Sequence, residues 1–87
     1  MGQREKSLLS ILSGLNDKSI MFSDLQKTLD WLGFSCRIKG DYFIFTKEGI
    51  KEIINIQPLK DKAKPYQVRQ VRNIILDYKL GGAVDEV

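Results

Sequence analysis

Phe34-Ser35-Cys36-Arg37-Ile38-Lys39-Gly40-Asp41-Tyr42-Phe43-Ile44-Phe45-Thr46 is the stretch that decides the fold. In its first half Phe34, Cys36 and Ile38 alternate with Ser35, Arg37 and Lys39. A β-strand turns successive side chains to opposite faces, so this two-residue period predicts a half-buried strand. Gly40-Asp41 supplies a turn. Tyr42-Phe43-Ile44-Phe45-Thr46 is aromatic and β-branched, which suits a pleated surface, and it predicts a second strand returning antiparallel to the first. Lys47-Glu48-Gly49 turns the chain again, and a third strand is expected near Lys51 to Gln57. Hairpins this short make the three strands neighbours in a meander.

Outward from this sheet the period becomes helical. Upstream, Leu8, Leu9, Ile11, Leu12 and Leu15 predict an amphipathic helix from about Gln3 to Ser13, stopped by Gly14. Ser23-Asp24-Leu25-Gln26 has the spacing of a capping box, so a second helix is expected to start at Ser23. Phe22 would staple it from outside, Leu25, Leu29 and Leu32 would form its apolar stripe, and Gly33 would end it. Downstream, Pro65 suits a first helical turn, and Val68, Val71, Ile74, Ile75 and Tyr78 repeat at helical spacing up to Gly81-Gly82. The expected class is therefore α+β, with helices covering one face of a three-stranded antiparallel sheet.

The chain has 87 residues, enough for one domain and too few for two;. The domain is expected over residues 1–80, with its N-terminal helix at 3–13, its core at 20–80 and a flexible tail at 81–87. Apolar residues form 43% and charged residues 29%, which excludes a disordered or fibrous chain;. Lys and Arg number 14 against 11 acids, and two of those acids, Asp85 and Glu86, fall in the tail. The body is thus more basic than the net charge of +3 suggests, and a basic body favours anionic partners, nucleic acid first;.

Several chemistries are excluded by residue type. There is no histidine, hence no Ser-His-Asp or Cys-His arrangement and no Cys/His zinc cluster;. The single cysteine, Cys36, forms no internal disulfide and reads as a small core residue;. No metal or cofactor is expected. No apolar run reaches the roughly 20 residues of a membrane span, and the first residues lack a secretory apolar segment, so a cytoplasmic protein without membrane contact is expected. Asp41 and Glu48 read as solvated turn acids.

What remains is a basic band. Arg37, Lys39 and Lys47 lie on the first hairpin, Lys60, Lys62 and Lys64 in the loop from Pro58 to Pro65, and Arg69 and Arg72 on the last helix. Lys60, Lys62 and Lys64 alternate with Leu59, Asp61 and Ala63, so an extended loop would project all three ammonium groups one way, as a phosphate backbone requires. Arg69 and Arg72 share a helical face and could clamp phosphates, flanked by Gln67 and Gln70. Tyr66 reads as a packing residue and Trp31 as a rim-of-core or partner-contact residue.

Three stretches together carry a resemblance. They are Phe22-Ser23-Asp24-Leu25 leading to Leu32-Gly33-Phe34, then Ile38-Lys39-Gly40-Asp41-Tyr42-Phe43-Ile44-Phe45, then Lys62-Ala63-Lys64-Pro65-Tyr66-Gln67-Val68-Arg69-Gln70-Val71-Arg72. Over residues 20–80 the chain resembles HicA-type toxins of bacterial toxin–antitoxin pairs. The resemblance implies a fold like that of double-stranded-RNA-binding domains, α-β-β-β-α, with the first helix as an N-terminal addition. It implies an mRNA interferase, a metal-independent endoribonuclease, that binds RNA and is neutralised by a HicB-type antitoxin covering its active face. The family's catalytic histidine follows a Gly-Ser or Gly-Asp pair at the start of the second strand, and that position here is Tyr42.

The histidine's role, assisting attack of a ribose 2′-hydroxyl on the neighbouring phosphodiester, needs a group that exchanges protons near neutrality. A phenol ionises only around pH 10 and is a poor base at neutral pH. The expectation is a disabled ribonuclease with Tyr42 at the catalytic position and Arg37, Lys39, Gly40, Lys60, Lys62, Lys64, Arg69 and Arg72 as RNA contacts. The alternatives are a non-catalytic module for double-stranded RNA or DNA, and a protein-interaction partner whose basic face docks an acidic antitoxin surface.

Overall fold

The computed structural model describes residues 3–80, with side chains from Glu5 onward. The expected tail at 81–87 lies outside the described residues. Three helices, α1 (Gln3–Ser13), α2 (Phe22–Trp31) and α3 (Pro65–Asp77), accompany three strands, β1 (Ser35–Lys39), β2 (Tyr42–Thr46) and β3 (Ile54–Ile56), in the chain order α-α-β-β-β-α. The sheet is antiparallel with order β1-β2-β3. Its registers pair Lys39 with Tyr42 through to Ser35 with Thr46, and Phe43 with Ile56 through to Phe45 with Ile54. The class and the strand order match the sequence expectation.

Apolar spacing builds the core. Leu8 and Ile11 of α1, Leu25 and Leu29 of α2, and Val68, Val71, Ile74 and Ile75 of α3 are buried together with Phe45, Ile54 and Ile56 of the sheet. Each such side chain contributes roughly 1.5–3 kcal/mol by leaving water. The Phe22 ring meets Phe43 edge-on at 4.9 Å, which seats the start of α2 over β2. The first helix is an integral part of this core and not an appendage, for α1 packs against both α2 and α3.

Local geometry departs from expectation in several places. Ser23 is not the cap of α2. The helix begins at Phe22, with Met21 in the cap position and no side-chain cap bond. Tertiary pairing decides this start: Met21 bridges to Lys62, the Phe22 N–H donates to the Asp61 carbonyl at 2.9 Å, and the Ala63 N–H donates to the Ile20 carbonyl at 2.9 Å. At the other end the expected stop holds. The Gly33 and Phe34 amides bond back to the Asp30 and Leu29 carbonyls, closing the turn after α2;.

β1 is not half-buried. Phe34, buried just before it, is the last residue of the alternation that the core covers, and all five strand residues are exposed. Cys36 is accordingly an exposed thiol and not a core residue. β3 is shorter than expected because pairing with β2 is confined to Ile54–Ile56. α3 stops at Asp77, short of the glycines. Lys79 takes the left-handed position at φ 55°, and the Lys79 and Leu80 amides return to the Leu76 and Ile75 carbonyls. No helix of the described residues is long and apolar enough to cross a membrane.

Candidate nucleic-acid interface

The helices cover the sheet face that carries Phe43, Phe45, Ile54 and Ile56, and side-chain alternation sends the others to the opposite face;. By register this open face holds Ser35, Arg37 and Lys39 on β1, Tyr42, Ile44 and Thr46 on β2, and Asn55 on β3. Two shallow hollows mark it. One, of about 390 Å³, is lined by Lys39, Gly40, Tyr42, Ile44 and Asn55, and a second, of about 260 Å³, by Ser35, Cys36, Arg37, Ile44 and Thr46. Tyr42 is 50% exposed and forms one wall of the first.

A tight turn places Tyr42. Gly40 stands at φ 60° while Asp41 keeps a negative φ, the pattern of a two-residue type II′ hairpin, which needs glycine at its first central position;. Lys39 and Tyr42 therefore flank the turn as direct cross-strand neighbours with side chains on the same face;. Gln57 directly follows β3, and Lys64 reaches it with its Nζ 3.4 Å from the Gln57 Oε1. Lys39 is thus the cation that the ladder sets directly beside Tyr42 at the turn end of the sheet.

The remaining basic residues divide. Lys60, Lys62 and Lys64 do not share an extended strand. Leu59 and Lys62 exchange main-chain hydrogen bonds at 2.8 and 3.1 Å around a tight turn, and Lys60 sits in that turn at φ 59°. The two-residue alternation is therefore broken, and the three ammonium groups are not aimed alike. Lys64 stands at the start of α3, where its N–H donates to the Gln67 Oε1 at 3.3 Å. Gln67 is consequently buried as a helix-start residue and is no external donor.

Arg72 does not join Arg69 in a clamp. Its Nη1 lies 2.9 Å from the Asp17 Oδ1 and 3.2 Å from the Ile11 carbonyl, so the guanidinium ties α3 to the end of α1. Gly14 makes room for it, since a Cβ there would stand 3.3 Å from Nη1. This is the one ion pair among the described residues, which leaves Arg37, Lys39, Lys60, Lys62 and Arg69 free of carboxylate partners there. Tyr66, expected to pack, is 55% exposed at the start of α3.

Sequence reasoning passed over three participants. Ile44 and Asn55 floor the larger hollow, and nothing in their local pattern distinguishes an open sheet face from a covered one. Gln57 joins only through Lys64. Among the described residues no group of three or more histidine, cysteine or acidic side chains is placed to hold a metal ion. Partial desolvation and the nearby Asp30 carboxylate push the Cys36 thiol above its ordinary pKa, which lowers its thiolate fraction, and so its reactivity, further;. The arrangement is a small α+β domain with an exposed aromatic ring beside a lysine on an uncovered sheet face. No family model, characterised protein or solved structure matches this chain.

Proposed function

We propose that the chain is an RNA-binding domain of the HicA-type toxin class, with a fold like that of double-stranded-RNA-binding domains and a ribonuclease centre disabled at Tyr42. The supporting observation is the setting of Tyr42. The residue at the position of the family's histidine is exposed on the open sheet face, with Lys39 beside it in register and Gly40, Ile44 and Asn55 lining the same hollow. A phosphodiester over the ring would lie beside the Lys39 ammonium group, and the ring itself offers a stacking surface for a base.

In an active member the imidazole would take the proton of a ribose 2′-hydroxyl as its oxygen attacks the adjoining phosphorus and the 5′-oxygen leaves. Tyr42 stacks and positions but does not take that proton. Binding is retained while cleavage is lost, and the toxin's natural partner is an antitoxin of the HicB type.

The test is to incubate single-stranded RNA, with chelator present, with the protein and with Tyr42→His. The proposal expects both to bind and only Tyr42→His to produce fragments. If neither cuts while both bind, the alternative reading as a non-catalytic module for double-stranded RNA or DNA takes its place. That alternative draws on the lack of any histidine in the chain.

A further inference from the structure

β1 is an edge of the sheet, with β2 on one side and no further strand on the other among the described residues. At the opposite edge β3 has three residues, with Ile54 and Ile56 fully buried, whereas β1 has five, all exposed. An exposed edge strand without proline, glycine or bulge is a template for a further strand.

The phase of the ladder fixes which groups β1 offers. In a two-residue hairpin the flanking pair, Lys39 and Tyr42, exchanges both main-chain hydrogen bonds, and so does every second pair: Arg37 with Ile44, Ser35 with Thr46;. Cys36 and Ile38, between them, direct their N–H and C=O groups outward. No main-chain bond from elsewhere in the described chain reaches these groups.

The edge also borders a groove. Cys36 and Ile38 lie on the helix side of the sheet, yet Ile38 is 63% exposed because α2 runs over β2 and leaves β1 outboard. Between α2 and this edge is a hollow of about 260 Å³, floored by Phe45 and Cys36 and walled by Ser23, Gln26, Lys27 and Asp30. The four wall residues form one stripe of the helix at i, i+3, i+4 and i+7. A strand edge facing a helix across a groove is the geometry in which an extended peptide adds a strand and drops alternate side chains into pockets. On the other face the same edge carries Arg37 and Lys39, neither ion-paired among the described residues.

We propose that the β1 edge and its groove against α2 form a docking site for an extended protein segment. That segment is apolar at positions facing the groove and acidic at positions facing Arg37 and Lys39. It joins the sheet as a fourth strand, bonding to the outward N–H and C=O groups of Cys36 and Ile38, while its acidic side chains pair with the two cations. A second copy of this chain is the poorer occupant, because two β1 strands meeting antiparallel about Arg37 set like charges directly opposite each other.

The proposal does not rest on the RNA reading: strand pairing uses the β1 edge and its helix side, and of the RNA candidates it shares only Arg37 and Lys39. The probe is a short peptide of alternating valine and glutamate, capped at both ends and titrated into isotopically labelled protein while amide signals and exchange are followed. The expected result is perturbation of Cys36, Arg37, Ile38 and the 23–30 stripe, with the outward amides of Cys36 and Ile38 protected from exchange. A peptide with lysine in place of glutamate binds at least about tenfold more weakly. Ile38→Pro removes an outward N–H without touching the ladder to β2, and it abolishes binding. Should that variant misfold, a peptide N-methylated at the amides that face β1 makes the same test on the unaltered protein, and its failure to bind is the expected outcome. Perturbation of Tyr42, Ile44 and Asn55 with unchanged exchange at Cys36 and Ile38 overturns the proposal. So does full affinity in folded Ile38→Pro, silence at millimolar peptide, or a peptide-free dimer that Ile38→Pro dissolves. None of these readouts involves RNA, so each proposal can fail without the other.

Discussion

Arg72→Met removes the guanidinium while keeping much of the aliphatic stem, and its cost follows from the surroundings. The Arg72 and Asp17 side chains retain 17% and 15% of their exposure, so the pair lies much nearer the buried than the surface limit. Exposed pairs contribute about 0–1 kcal/mol, while breaking a buried pair costs about 3–5 kcal/mol because one charge is left covered and alone. The Ile11 carbonyl loses its charged donor as well. Together these place the loss at about 2–3 kcal/mol, against a total stability of roughly 4–13 kcal/mol for a chain of this length. In a thermal melt followed by circular dichroism the midpoint should fall by about 10–20 °C. Asp17→Asn keeps an acceptor and should cost less, and the double variant should cost less than the two changes summed. RNA affinity at a temperature where Arg72→Met is folded should stay within about twofold of the parent's. A midpoint within about 3 °C of the parent's, together with a large loss of RNA affinity, would refute the structural role and return Arg72 to the interface.

Lys79→Gly should stabilise the protein by about 0.5–1 kcal/mol, because the left-handed position after α3 penalises a side chain by more than glycine's added chain entropy; a lowered melting midpoint would contradict this;. Phe45→Ala, at the fully buried centre of the sheet, should cost about 3–5 kcal/mol in urea titration and bring the domain close to unfolding;. Lys39→Ala and Lys64→Ala should each weaken RNA binding and reduce the salt slope by about 1, and an unchanged slope in both would count against phosphate contact. Tyr78 donates to the Glu52 carboxylate at 2.7 Å, and this bond chiefly raises its pKa above the ordinary phenol value. A pKa higher in the fold than in the unfolded chain means that the contribution is whole below the unfolded value and fades as pH climbs through the folded one. Ultraviolet titration should therefore find one tyrosine ionising late, and Glu52→Gln should bring it back.

What the sequence disclosed and what it hid follow from the range of the forces involved. Val68, Val71, Ile74 and Ile75 declare a helix because burial on one side imposes a period that can be read locally, and the Gly40-Asp41 turn declares a hairpin for a similar reason. Arg72 looked available because its partner Asp17 lies 55 residues away, and nothing local distinguishes a free cation from one paired across the fold. The regular alternation of Lys60, Lys62 and Lys64 suggested a straight loop, but the hydrogen bonds between Leu59 and Lys62 fold it into a turn. Ser23-Asp24-Leu25-Gln26 had the spacing of a cap, yet the attachment of Met21 to Lys62 starts the helix earlier. The β1 alternation was read as burial, because a strand's pattern does not say whether it lies inside the sheet or at its rim. Of the candidate site, Tyr42 and Lys39 are legible through the turn between them, while Asn55 needs the β2–β3 register.

The stitch between the residues before α2 and those before α3 bears on when this protein can fold during its synthesis. Ile20 and Phe22 find their hydrogen-bonding partners only at Ala63 and Asp61, and α1 finds one of its two supporting helices only in the final part of the described chain. A nascent chain halted after the hairpin would have its first two helices and most of its sheet but no closing contacts, with Leu8, Leu25 and Phe45 still in water. Folding is thus deferred until nearly the whole domain has left the ribosome tunnel, and partial translation products should be targets for chaperones and proteases rather than stable fragments.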